Sequence, residues 1–162
     1  MTQPTQPLRD EHKELLPYIN LLRTVADAVG AEPSTEQGIE DTYLFLTHHL
    51  LPHAQAEEHA LYPVIGALLK APAATATMIR EHQEIKKLTG ELGAYRQKSG
   101  LSESQNQDLR RILYGLYALV KVHLAEEEEI YLPLLDAHLT RESADQLFKN
   151  MEMAAQKAKS LA

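Results

Sequence analysis

Apolar side chains recur along this chain in a 4-3-4-3 rhythm, the mark of a helix with one buried face. The first stripe runs through positions 8, 12, 15, 19, 22, 26 and 29. GAEPST at 30–35 breaks it, with Ser34 or Thr35 suited to cap the next helix. A second stripe uses 39, 43, 46, 50, 53, 57, 61, 64 and 68, and Ala71-Pro72 ends it. A third uses 78, 82, 85, 88, 92 and 95 and closes near Ser99-Gly100, with Gly100 as the expected C-cap. The fourth uses 109, 113, 116, 120, 123, 127, 130 and 134. After Thr140 a shorter stretch carries Leu147, Phe148, Met151, Ala155, Ala158 and Leu161 on one side. Pro17, Pro52, Pro63 and Pro133 fall inside these patterns, where a proline removes a hydrogen bond and bends the helix. No segment alternates with period two. The expectation is an all-α protein: a flexible arm over 1–7, an up-down four-helix bundle over 8–138, and an extra C-terminal amphipathic helix over 139–162. That last helix would lie against the bundle or pair two copies into a homodimer.

The stripes are not purely apolar. His12, His53, Glu57, His82, His123 and Glu127 all fall on them. A shift of seventy residues aligns the two halves of the chain at these places. Asp10-Glu11-His12-Lys13-Glu14 falls on Arg80-Glu81-His82-Gln83-Glu84, and HAQAEE from His53 falls on HLAEEE from His123. Pro63 falls on Pro133. Duplicated packing would explain matching leucines, but the best-matched positions are His and Glu.

Composition narrows the chemistry. The chain has 162 residues, enough for one domain with a real core. It has no Cys, which excludes disulfides, thiolate zinc sites and Cys-ligated iron–sulfur clusters. Sixteen Lys and Arg against 23 Asp and Glu give a formal charge of −7, unsuited to nucleic acid or an anionic membrane. MTQPTQPLRD lacks a basic region followed by an apolar one, so a cytoplasmic location is expected.

A buried carboxylate needs a cation, a proton or a metal. His-x-x-x-Glu puts two ligands one helical turn apart on one face, and it occurs at 53/57 and at 123/127. The rise of ~1.5 Å per residue places His12 about 24 Å from the end of the first helix and His53 about 27 Å from the start of the second. In an antiparallel hairpin the two are therefore level, and the second hairpin repeats the agreement. Four imidazoles and two carboxylates suit iron, manganese or zinc. If both carboxylates bridge two ions and one oxygen bridges as well, about one coordination position per ion stays open. Six protein ligands exceed the usual four of a single zinc. His49 and Tyr131, each one turn from a ligand, are candidates for an extra ligand or a supporting contact; Tyr62 and Tyr43 are less well phased. Glu11 and Glu81 suit hydrogen bonds to the imidazoles. Glu126, Glu128 and Glu129 read as a solvated face, and His138 with Glu142 as a chance pair. Neither Glu-x-x-His nor His-Glu-x-x-His occurs, which argues against ferritin-like sites and zincin proteases.

On His12, on His53 with Glu57 in HAQAEEHALYP, on His82 in REHQE, and on His123 with Glu127 in HLAEEEEIYLP, the chain resembles the hemerythrin-like proteins of the HHE cation-binding type. The resemblance covers roughly 8–138. It implies a four-helix bundle around two non-haem iron ions, oxo- or hydroxo-bridged, with no haem. It also implies small-molecule partners: oxygen, nitric oxide or peroxide, met as carrier, as sensor of the oxidant or of iron, or as enzyme in oxidative or nitrosative stress. Oxygen carriers of the family have a fifth His one turn after the third. Lys86 stands at that place here, and Leu16 at its repeat counterpart. Their last ligand is an Asp five residues after its His, whereas Glu127 follows His123 by four. A nearly symmetric site is expected, and simple oxygen carriage is disfavoured. A metal-free structural bundle is the remaining alternative.

Overall fold

The computed structural model describes residues 3–31 and 35–160. Five helical rods make up the fold: α1 (Gln6–Ala28), α2 (36–68), α3 (Ala76–Gly93), α4 (103–138) and α5 (Arg141–Ser160). The first four form an up-down ring in which α1 and α3 each pack between α2 and α4, and α5 lies along α2 at residues 51–61. Among the described residues there is no strand, and no helix is long and apolar enough to cross a membrane.

The core falls into two regions. At the end holding the 29–35 connection it is wholly apolar, built from residues such as Ile19, Leu22, Phe45, Leu92, Leu109 and Leu116. Burial of such side chains contributes about 1.5–3 kcal/mol each. At the other end Leu8, Ala56, Leu61, Tyr62, Ile65, Met78, Leu132 and Leu135 form a second cluster, which Leu147 and Met151 of α5 complete. The polar residues of the stripes lie between the two.

The prolines do not break the rods. In α2 and α4, Pro52, Pro63 and Pro133 each come two residues after a π-helical turn: Leu46–Leu50, Glu57–Leu61 and Glu127–Tyr131. In each turn a backbone N–H reaches back five residues, from Leu51 to Leu46, from Tyr62 to Glu57 and from Leu132 to Glu127. The wider turn leaves room for the proline ring and absorbs its missing donor. It also advances the buried face by one residue. Beyond Glu57 the buried positions are therefore 61, 62 and 65 rather than 64 and 68, and beyond Glu127 they are 132 and 135 rather than 130 and 134. Ile130, placed on the core stripe by α periodicity, is 58 % exposed.

Three boundary expectations change. Thr5 is fully buried and caps α1, with its N–H and hydroxyl both donating to Asp136, so the bundle starts before residue 8. Thr35 precedes α2 without a side-chain cap bond, and Ser34 lies outside the described residues. Helix α3 ends at Gly93, where the Tyr43 ring packs so closely that a Cβ would meet it at 3.0 Å. Gly100, with φ +64°, belongs to the connection that leads into the Ser102–Gln105 capping box of α4. In α5, Ala144, Leu147 and Met151 are buried while Phe148, Ala155 and Ala158 are half-buried; Leu161 lies outside the described residues.

Candidate metal centre

The π turns that open at Glu57 and Glu127 set these two carboxylates facing each other across the bundle, each fully buried. His12 from α1, His53 from α2, His82 from α3 and His123 from α4 surround them, each no more than 5 % exposed. The six groups form one layer, as the level argument requires.

Their arrangement is two-sided. Glu57 Oε1 lies 2.8 Å from His53 Nε2 and 3.9 Å from His12 Nε2, while Glu57 Oε2 lies 3.4 Å from His82 Nε2 and 3.9 Å from His123 Nε2. Glu127 mirrors it: Oε2 is 3.4 Å from His12 Nε2 and Oε1 is 3.6 Å from His123 Nε2. Each carboxylate thus turns one oxygen toward each histidine pair. Ligand atoms of His12, His53, Glu57 and Glu127 gather within 4.8 Å of one another, as do those of Glu57, His82 and His123.

The outward nitrogens are held in the same two-fold pattern. Nδ1 of His12 meets Glu128 at 2.8 Å, and Nδ1 of His82 meets Glu58 at 2.8 Å. Nδ1 of His53 meets Glu11 at 3.0 Å, and Nδ1 of His123 meets Glu81 at 2.8 Å. Each of these bonds crosses between helices, and each fixes the tautomer so that Nε2 can offer its lone pair inward. Glu11 and Glu81 take the role expected of them. Glu128 does not belong to a solvated face: besides His12 it accepts from Arg9 at 2.5 Å. Its counterpart Glu58 was not singled out from the sequence, although the repeat with Glu128 marks it.

The site has more polar atoms than protein partners. His12 Nε2, His53 Nε2, both oxygens of Glu57 and Glu127 Oε2 are buried without a hydrogen-bond partner. Leaving such atoms unsatisfied costs about 1–3 kcal/mol each, and more for a charged group. Two carboxylates at such close quarters also disturb each other. Burial, and then the charge of Glu57, push Glu127 well above the ordinary carboxylate range. Burial works in the same direction on Glu57, but the nearby imidazoles, His53 first and then His12 and His123, outweigh it and hold Glu57 low. Burial opposes the charged form of His53, yet Glu57 and Glu11 lift it well above its ordinary value. His123 is pushed up to about 9 by Glu57, Glu127 and Glu81 against the cost of burial. Cations placed among these groups would satisfy the carboxylates and the imidazole lone pairs together. His82 Nε2 and His123 Nε2 are 2.9 Å apart, close to the ~3 Å between neighbouring ligands of one ion with bonds of ~2.1 Å. The residues fit a metal site.

Tyr62 belongs to this layer. Its hydroxyl donates to Glu127 Oε1 at 2.9 Å and lies 3.3 Å and 3.4 Å from Nε2 of His82 and His123. Burial and the charges of Glu57 and Glu127 raise its pKa, so it stays a protonated phenol. The wider turn explains why α periodicity misplaces it: one π turn past Glu57 is residue 62, not 61. The same shift removes Tyr131, whose hydroxyl donates instead to the Ala74 carbonyl at 3.1 Å. His49 is exposed and stacks on Phe45 at 6.4 Å, away from the centre. Tyr43 packs under Arg96. Lys86 and Leu16 are both exposed, so the positions of a fifth His do not frame the site here. His138 and Glu142 are exposed and apart from it.

A helical bundle with a buried His and Glu layer fitted to a metal is a recognisable class. The family model of the hemerythrin HHE cation-binding domain matches residues 3–135, and the chain belongs to that family. No curated protein and no solved structure matches it. The matched span takes in α1 to α3 and α4 up to residue 135, and does not reach α5.

Proposed function

We propose that this protein holds two iron ions and uses them to bind or sense a small oxidant: oxygen, nitric oxide or peroxide. The carrying observation is that Glu57 and Glu127 each offer one oxygen to the His12/His53 pair and one to the His82/His123 pair. Two ions held there would have His12 and His53 on one side, His82 and His123 on the other, and both carboxylates within reach of each side. Bound there, iron supplies reversible one-electron chemistry and coordination of the small molecule. His12, His53, Glu57, His82, His123 and Glu127 would hold the ions, while Glu11, Glu58, Glu81 and Glu128 fix the imidazole tautomers and the burial of the layer keeps bulk water out.

The test is the ultraviolet–visible spectrum of protein expressed in iron-rich medium, with the iron counted. About two irons per chain and near-ultraviolet oxygen-to-iron bands are expected for carboxylate-bridged iron. Less than one bound metal per chain would leave a structural bundle.

The Tyr62 hydroxyl supports a second reading, an enzyme that decomposes peroxide or reduces nitric oxide, because it puts a proton donor beside the centre. Peroxide turnover no faster than that of free iron would exclude it.

A further inference from the structure

The seventy-residue repeat sets two faces of the centre side by side, and they are not equally closed. On the His12 face, Glu128 is held by Arg9 at 2.5 Å, and Arg9 also reaches Asp136 at 3.0 Å. Thr5 bonds to the same Asp136 through its N–H at 2.9 Å and its hydroxyl at 2.8 Å. On the His82 face the repeat puts Ile79 in place of Arg9, Gly66 in place of Asp136 and Tyr62 in place of Leu132. Glu58 holds His82 there, and among the described residues no Lys or Arg pairs with it.

The substitutions decide how far the surface recesses reach, not how large they are. A groove of ≈ 530 Å³ opens between the end of α2 and the start of α3, lined by Glu58, Tyr62, Gly66, Ala67, Pro72 and Ile79 among others. Two of its lining residues, Tyr62 and Glu58, touch the site histidines directly. The recess on the opposite face is larger, ≈ 1050 Å³, but it stops at Arg9, Asp136 and Ala137, and neither Glu128 nor Leu132 lines it. A third cleft, beside α5, meets His53, but His53 Nε2 is sealed and Nδ1 is engaged by Glu11, so the cleft touches only the back of that ring.

Resting on the functional reading above, we propose that the α2–α3 groove is the route by which a small uncharged molecule reaches the His82/His123 side of the centre, where the Tyr62 hydroxyl turns its one proton from Glu127 to the molecule and orients it by a hydrogen bond. The lining favours an uncharged molecule: Gly66, Ala67, Pro72 and Ile79 offer nothing to an ion, and the two charges present, Glu58 and Lys70, are of opposite sign, so neither anions nor cations are drawn in by a net charge. The hydroxyl lies 3.3–3.4 Å from both imidazole nitrogens, where it borders whatever binds between them. The arrangement makes the two sides unequal, with the molecule arriving on one side only.

The test is the rate at which nitric oxide binds to iron-loaded protein, followed by stopped-flow absorbance. Ala67→Trp and Gly66→Leu narrow the groove; Ala67 is exposed, and a Cβ on Gly66 meets its neighbours at an ordinary 3.5 Å. Ala137→Trp, at the repeat counterpart of Ala67, is the control. Both groove variants should slow association at least tenfold with iron content unchanged, and the control should bind at the parent rate. Parent-like rates in both groove variants, or equal slowing in the control, would overturn the route. Tyr62→Phe should speed dissociation roughly tenfold, as expected for one lost hydrogen bond. Unchanged dissociation overturns the part given to Tyr62, and so does loss of a visible phenolate band, because Tyr62 would then itself occupy the position. A parent chain without iron fails the functional reading; an iron-loaded chain with indifferent groove variants fails this one.

Discussion

The His12/His53 half of the centre and the His82/His123 half start from the same residues and end in different surroundings. The inner groups repeat: two imidazoles, a carboxylate at the head of a π turn, a proline six residues on, and a carboxylate behind each imidazole. The outer groups do not. On one half Arg9, Asp136 and Thr5 stand between the surface recess and the residues at the imidazoles, and α5 lies along α2; the other has Tyr62, Gly66 and Ile79, and its groove reaches Glu58 and Tyr62 at the imidazoles. Groups that would touch a metal are constrained by bond geometry on both sides, whereas the residues around them are free to serve packing on one side and approach on the other.

The largest expected effect comes from breaking the shared inner layer. Glu57→Ala and Glu127→Ala should each lose both ions, not one, because each carboxylate faces both histidine pairs. Metal analysis after gel filtration reads this directly, and a variant that retains one full equivalent would show that its Glu serves one side alone. Next come the outer carboxylates. Glu58→Ala and Glu128→Ala should each weaken metal binding by about 10–100-fold, since both free an imidazole tautomer. Stability should separate them. Glu128→Ala also leaves the half-buried Arg9 with Asp136 as its remaining carboxylate partner and should cost about 1–3 kcal/mol more than Glu58→Ala in denaturant unfolding. Equal costs would mean that the clamp contributes nothing.

Helix α5 supplies a test on one half only. Leu147→Ala should destabilise the fold by about 2–4 kcal/mol while the metal content stays near that of the parent. Loss of metal in that variant would make α5 part of the site rather than a cover over it. The smallest effect is on pH. Imidazole must be neutral to bind a metal, and His123 keeps its proton up to about 9, with His53 also raised. Protons therefore compete with the metal below about pH 9, and affinity should keep rising from pH 7 to 9 rather than level off near 7. A calorimetric titration in two buffers of different ionisation heat would show the released protons; no buffer dependence at pH 7 would contradict the raised values.

The centre was legible in the sequence because its residues violate the hydrophobic pattern, and violate it twice at the same spacing. Four imidazoles and two carboxylates on apolar stripes have few physical explanations. The fold was legible for the ordinary reason that its helices bury one face. What could not be read was the phase of the helices beyond Glu57 and Glu127. The stripes assume 3.6 residues per turn, and the π turns add one residue. Counted at 3.6 per turn, Ile130 falls inside, Tyr131 falls at the site and Tyr62 is out of phase with it; the extra residue reverses all three. The prolines at 63 and 133 were the available signal, since a proline within a continuing rod requires a local widening or a kink. The second role of Glu128 was hidden for another reason: a run of four glutamates looks solvated until α1 brings Arg9 and His12 against it.

The central claim is that two ions lie between Glu57 and Glu127, one facing each histidine pair. Anomalous diffraction at the iron edge from crystals of iron-loaded protein tests it most directly. Two peaks about 3.5–4 Å apart are expected, as in other two-metal sites, one beside His12 and His53 and the other beside His82 and His123. A single peak in that layer, or iron only at surface histidines such as His48 and His49, would contradict it.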